Sequence, residues 1–258
     1  MPSKIDIEAY INRIKYQDEL RPNLEVLKKL QKQHLLHVPF ENLDIHYHNK
    51  IHLDLNAFYK KVVQGKRGGF CYELNGLFNQ LLLALGFQSK IISARVYSKK
   101  LDDFGQEFDH LAIIVNLNQV EYLVDVGFGE FSFHPLKFEL QTAQKDPRGN
   151  FIVEPYKKNY YVVFKIIDGN KKPEYIFSEK ERDLSEFTEM CHHHQTSPNS
   201  HFTKQKLISR PTENGRITLT NNTLKITEDN KKPVEKYFKD EEFLNYLSKY
   251  FDVEYPTK

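Results

Sequence analysis

Long apolar runs are missing from this chain. No stretch comes near the length needed to cross a bilayer, and the opening residues, Met1-Pro2-Ser3-Lys4-Ile5-Asp6, hold no apolar segment of the kind that directs secretion. Cysteine is scarce: two in 258 residues argue against a disulfide scaffold and for a reducing compartment, with the cytoplasm as the expected location. One-sided charge is missing as well. Against 37 basic residues stand 35 acidic ones, a formal net charge of +2, so neither nucleic acid nor a membrane is an expected partner. No basic block is interleaved with aromatics. No glycine-rich phosphate loop occurs, because Gly127-Phe128-Gly129-Glu130 lacks the third glycine and the following helix. Repeats and low-complexity tracts are absent too.

What remains has the composition of an ordinary soluble globular protein, 40% hydrophobic and 28% charged, with ample core for one large domain or two to three small ones. The first part reads as helical. Ile7, Tyr10, Ile11 and Ile14 form one stripe, Leu24, Leu27 and Leu30 a second before Pro39, and Leu55, Phe58, Tyr59 and Val62 a third. From Lys90 the character turns to strands: residues 91–97, a hairpin about residues 116–119, then 160–167 and 175–177. A charged helix is expected near residues 179–190. Strands at 217–220 and 224–227 flank an Asn221-Asn222 turn, and Asp240 caps a last helix through Leu244, Leu247 and Phe251.

The densest chemistry lies in Arg67-Gly68-Gly69-Phe70-Cys71-Tyr72-Glu73-Leu74-Asn75. Leu74, Leu77, Phe78, Leu81, Leu82 and Leu85 recur at helical spacing, and Gly86 stands where the helix should end. Cys71 therefore falls in a first turn, where free N–H groups and the helix dipole favour a thiolate. The glycine pair before it is expected to turn the backbone sharply and admit a substrate. A buried structural cysteine is the competing reading.

A nucleophilic cysteine needs a base, and the base an orienting group. Centring the hairpin turn between Leu117 and Asn118 sets Leu111 opposite Val124, Ile113 opposite Tyr122 and Val115 opposite Val120, a matched apolar face. The same register sets His110 opposite Asp125, within reach of a hydrogen bond. Gly127-Phe128-Gly129 follows. A Cys71–His110–Asp125 triad results. Two further clusters carry less. Cys191-His192-His193-His194 cannot aim three consecutive histidines at one ion, so no metal is expected, and His46-Tyr47-His48 reads as surface.

These segments, together with Val38-Pro39-Phe40-Glu41-Asn42-Leu43-Asp44-Ile45-His46 and Gln195-Thr196-Ser197-Pro198-Asn199-Ser200-His201-Phe202, resemble the arylamine N-acetyltransferases. The resemblance implies an α+β fold: an N-terminal helical bundle (residues 1–88) carrying the cysteine, a central β-barrel (89–190) carrying the histidine and aspartate, and a C-terminal α/β lid (191–258), with a cysteine-protease-like Cys-His-Asp core. It implies ping-pong transfer of acetyl from acetyl-CoA, as co-substrate, to an arylamine or hydrazine through an acetyl-cysteine. By the same resemblance Phe40, Phe70, Asp109, Phe128 and Phe202 are candidates for the substrate pocket, and Gln106, Glu107, His193 and Asn199 for contacts to coenzyme A. Arg67 and Glu73 read as a structural charge pair beside the helix start. An amide synthase of natural-product biosynthesis and a triad hydrolase or transglutaminase-like enzyme share this chemistry and stay open.

Overall fold

The computed structural model describes residues 5–255. Helices fill its first third, and three of them are opened by a side chain that accepts an otherwise unpaired first-turn N–H. Asp6 caps Ile7–Arg13 through Ala9 N, Asn23 caps Leu24–His37 through Val26 N, and Asp54 caps Leu55–Tyr59 through Ala57 N. The helix Cys71–Ala84 ends as expected at Gly86, whose φ of +88° suits the left-handed turn.

Eight antiparallel strands then curl in the order Leu136–Lys137, Val120–Val124, His110–Leu117, Gln88–Ser98, Asn170–Glu181, Tyr161–Ile167, Gly149–Pro155 and Gln144–Asp146. One side chain brings the two edges together. The Gln144 amide donates to the Lys137 carbonyl at 2.8 Å and accepts from the Lys137 N–H at 2.7 Å, imitating a ladder and nearly closing a barrel. Ala94, Ala112, Ile114, Phe151, Val163 and Phe177 fill the inside. The opposite face of the same strands, through Leu111, Ile113, Val115 and Val124, packs on Leu74, Leu77, Phe78 and Leu81 of the Cys71 helix. Burial on both faces explains why residues 110–115 read as a nearly unbroken apolar run.

A second sheet, in the order Phe40–Glu41, Leu207–Thr212, Gly215–Thr220, Thr223–Glu228 and Val234–Tyr237, packs Ile208, Leu219 and Leu224 on the final helix Phe243–Phe251. Its edge strand comes from the N-terminal part of the chain. Phe40 pairs with Ser209 and Glu41 with Ile208, so early and late sequence share one sheet.

Several expectations change. The hairpin turns on Asn118-Gln119, both at positive φ (52° and 67°), and pairs Ile113 with Val124 and Val115 with Tyr122. That register lies two residues from the expected one. Two residues is the side-chain period, so every face is preserved and His110 and Asp125 still point to one side. The helix expected at 179–190 starts late, as a 3₁₀ turn at Leu184–Phe187. Strand Asn170–Glu181 runs through that start, with Glu181 opposite Ile92, and the helix comes later at Thr188–Thr196. Asp240 binds Lys206 instead of capping a helix, and Glu242 accepts from Lys239 N in the turn before Phe243. The strand Gly149–Pro155 lacked a clear alternation signal and was not expected.

Arg67 and Glu73 do not pair with each other. Arg67 binds Glu41 at 2.5 Å and Asp44 at 2.7 Å, while Lys61 binds Asp44 at 2.7 Å, Glu73 at 2.8 Å and Glu41 at 3.6 Å. Glu73 also accepts from Phe70 N at 2.8 Å, which fixes the start of the Cys71 helix. Burial works against every charge here. Even so, Lys61 and Arg67 hold the Asp44 carboxyl at about 2, and Glu41, Glu73 and Asp44 keep Lys61 charged. Lys61→Met leaves three buried carboxylates facing Arg67 alone and is expected to cost roughly 3–5 kcal/mol, read as a lower urea midpoint. An unchanged midpoint would mean the network contributes nothing to the fold.

Candidate active site

Cys71 opens a helix whose residues 71–79 are all buried. The glycines before it act by space rather than by turning, since neither has positive φ. A Cβ on Gly68 would lie 2.2 Å from the Pro39 carbonyl oxygen, and one on Gly69 would lie 3.0 Å from Glu73 Cβ. The pair lets the loop lie flat against neighbouring backbone, which corrects the expectation of a sharp turn open to substrate. Gly127 does the same on the other side of the cysteine. A Cβ there would sit 2.9 Å from Cys71 Cα and 2.8 Å from Asn75 Nδ2, so only glycine allows the loop after Asp125 to back onto the helix start.

Asn75 stands one helical turn after Cys71, on the same face. Its Nδ2 donates to the Leu111 carbonyl at 2.6 Å and to Asp125 Oδ1 at 2.9 Å, and its Oδ1 accepts from Val126 N at 2.9 Å. One amide thus joins the cysteine helix, the histidine strand and the aspartate loop. Asp125 Oδ1 also accepts from Gly127 N at 2.9 Å and Phe128 N at 3.0 Å. Its Oδ2 lies 2.7 Å from His110 Nε2, with both groups buried. That contact commits Nε2 to Asp125 and leaves Nδ1 as the ring nitrogen free to exchange a proton elsewhere. Sequence reasoning passed over Asn75. Its signal is a buried amide at i+4 from the cysteine, followed by Asn79 one turn on, among apolar neighbours.

A cavity of about 610 Å³ opens here, with Cys71 and His110 on its wall. Phe40, Phe128 and Phe202 line it, as do Asp109, Gln106, His193 and Asn199. Asp125 stands behind His110. Two expected residues do not line it. Phe70 is fully buried behind the wall, its ring 4.5 Å from Phe202 and 5.6 Å from Phe40, so it supports the pocket from the core. Glu107 is spent on Tyr160 Oη at 2.5 Å and Arg182 at 3.0 Å. The lining residues that were not anticipated include Arg216, and His194, which pairs with Asp109 at 3.2 Å. His46 is half-buried instead of surface, and its Nε2 donates to the Phe202 carbonyl at 2.9 Å.

Burial pushes the Cys71 thiol well above its ordinary range, and Cys191, Asp125 and Asp109 push it the same way. The Leu111 N–H works in the opposite direction. Burial therefore opposes a lone thiolate, against the pull of the helix start. The arrangement favours a thiolate only when the proton passes to a neighbouring base, so that two opposite charges share the desolvated space.

A sequence model of the N-acetyltransferase family matches residues 23–258. The chain is 32% identical to the arylamine N-acetyltransferase, pineal gland isozyme NAT-3, of Gallus gallus, over 96% of this chain and 94% of that one. It superposes on the arylamine N-acetyltransferase from M. tuberculosis with a TM-score of 0.89 at 27% identity, covering 96% and 94% of the two chains. The Mycobacterium marinum arylamine N-acetyltransferase in complex with CoA gives 0.87 at 26%, covering 96% and 93%.

Asn75→Ala strands the Leu111 carbonyl and Val126 N–H and removes a donor from Asp125. A loss of about 3 kcal/mol in unfolding free energy is expected, along with a changed rate of Cys71 alkylation. Wild-type values for both would show that Asn75 does not hold the three elements together.

Proposed function

This chain belongs to the arylamine N-acetyltransferase family and is an acyltransferase of that type, and on that premise we propose that it carries acetyl from acetyl-CoA to an arylamine or hydrazine on Cys71, with His110 as acid and base and Asp125 as its support. The observation that carries this reading is the 2.7 Å contact of His110 Nε2 with Asp125, behind a cavity wall shared by His110 and Cys71. His110 takes the Cys71 proton, and the sulfur attacks the thioester carbonyl. The oxyanion meets backbone N–H groups at the start of the Cys71–Ala84 helix. As the carbon–sulfur bond to coenzyme A breaks, His110 returns the proton to the leaving thiol, and acetyl stays on Cys71. The amine then attacks that thioester, His110 takes the amine proton, and the Cys71 thiol is restored. Asp125 fixes the imidazole tautomer and stabilises its charge at each transfer.

Phe40, Phe128 and Phe202 give the cavity an aromatic wall suited to an aryl acceptor. Gln106, His193 and Asn199 are the proposed contacts for coenzyme A. We also propose a cytoplasmic setting, which suits two free, buried thiols.

The test is intact mass after mixing the protein with acetyl-CoA in the absence of amine. One added acetyl group is expected on the wild type and none on Cys71→Ala, with the label discharged by an arylamine. Free acetate released without amine would instead support a hydrolase, and absence of any adduct would sink the acetyl-cysteine route. Asp125→Asn keeps an acceptor for Gly127 and Phe128 but sets an amide against His110. Its kcat is expected to fall roughly 10³–10⁴-fold. A fall of less than tenfold would remove Asp125 from the mechanism.

A further inference from the structure

Asp109 and His194 form a second carboxylate–imidazole pair on the wall of the Cys71 cavity, outside the proton transfers assigned to Cys71, His110 and Asp125. Asp109 stands directly before His110 in the chain. Its Oδ2 accepts from Val96 N at 3.2 Å, and its Oδ1 lies 3.2 Å from His194 Nε2. That nitrogen is equally close to the Asp109 carbonyl oxygen, and two oxygen acceptors commit it to carrying a proton. His194, on the helix Thr188–Thr196, has a side chain only 6% exposed. Its ring is held 5.2 Å from that of Phe202, 5.8 Å from Phe70 and 6.2 Å from Tyr72, and Nδ1 is buried without a partner. The polar work of the ring therefore falls on the contact with Asp109. From the other side, the Tyr72 hydroxyl donates to the carbonyls of Phe108 at 2.8 Å and Asp109 at 3.3 Å, which ties this backbone to the residue after Cys71.

The charges around Cys71 give the pair its meaning. Cys191, Asp125 and Asp109 all act against a negative sulfur. Cys191 stays a thiol, pushed up to about 12 chiefly by burial. Asp125 is committed to His110 and to three further donors. Asp109 is paired with one basic side chain among the described residues, His194. His201 senses both members of the pair, and the His193 ring lies 5.9 Å from that of His194. Resting on Cys71 as the nucleophile of the reading above, we propose that His194 is a positioning residue that acts through Asp109: its Nε2–H holds and masks the carboxylate, so that the sulfur meets no second bare acid. Losing one proton leaves the Cys71–His110 pair more negative by one charge. A bare carboxylate at position 109 moves that loss to higher pH, and a neutral side chain there moves it to lower pH.

The experiment follows the rate of iodoacetamide alkylation against pH, read by mass on the Cys71 peptide so that Cys191 is scored apart. It needs no acetyl donor. His194→Leu bares the carboxylate and is expected to raise the alkylation midpoint by about one pH unit. His194→Gln supplies an amide N–H in place of the imidazole one and should restore most of the shift. Asp109→Asn keeps an acceptor for Val96 N, removes the charge, and should lower the midpoint. On that background, adding His194→Leu should move it by less than about 0.3 unit, because there is no longer a charge to mask. A wild-type midpoint in His194→Leu overturns the proposal. A shift of the same size with and without Asp109 also overturns it and makes His194 a packing residue. Should His194→Leu fail to fold, Asp109→Asn decides: a lowered midpoint supports the proposal, and an unchanged or raised one removes Asp109 from control of Cys71. If the midpoints move as stated but acetyl-CoA leaves no adduct on Cys71, the transfer reading fails and the role of His194 stands.

Discussion

Everything reactive in this molecule depends on how closely the loop after Asp125 approaches the start of the Cys71 helix. Asn75 sets that approach from the helix side, and Gly127 permits it from the loop side. The Asn75 amide uses both its ends, donating to the Leu111 carbonyl and Asp125 and accepting from Val126. An amide can do this because it carries donors and an acceptor on one rigid plane, whereas a carboxylate or an apolar side chain would leave a buried partner unpaired. With Oδ1 of Asp125 saturated by Asn75, Gly127 and Phe128, only Oδ2 faces His110, and the imidazole has one orientation to adopt.

Behind that contact stands a buried network of Glu41, Asp44, Lys61, Arg67 and Glu73. Three carboxylates and two cations would be costly to desolvate separately, and together they fix segments far apart in sequence. Tyr255, near the end of the chain, donates to Asp44 at 2.9 Å and lies under the Arg67 guanidinium, so the network also ties the C-terminal sheet to the cysteine loop. Residue 255 and the segments around residues 41–44 and 61–73 thus meet in one network.

Legibility in the sequence followed the physics of each feature. The Cys71 helix was clear because periodic leucines and a terminal glycine are local signals. His110 and Asp125 were legible as a pair even though the hairpin register was off by two, because face depends on parity alone. The charged segment near 180 was misread as a helix. Its solvated strand carries the same residues, and only pairing with residue 92 decides between the two. Phe70 looked like a pocket residue because of its place in the chain, but a residue preceding a helix can point inward, and here it does.

The sequence by itself pointed to Cys71, His110 and Asp125 as a set, through residue type and short-range spacing, and the structure brings His110 and Asp125 into contact and sets Cys71 and His110 on one cavity wall. The sequence also determined the class of fold, from helical stripes followed by alternating strands. Only the tertiary structure decided which side chains face the cavity. Asn75, His194 and Arg216 reach the site through contacts with residues dozens of positions away. The tertiary structure also sets burial against the helix start at Cys71: a helix start favours the thiolate, and burial pushes the thiol up, which is a property of the assembled fold.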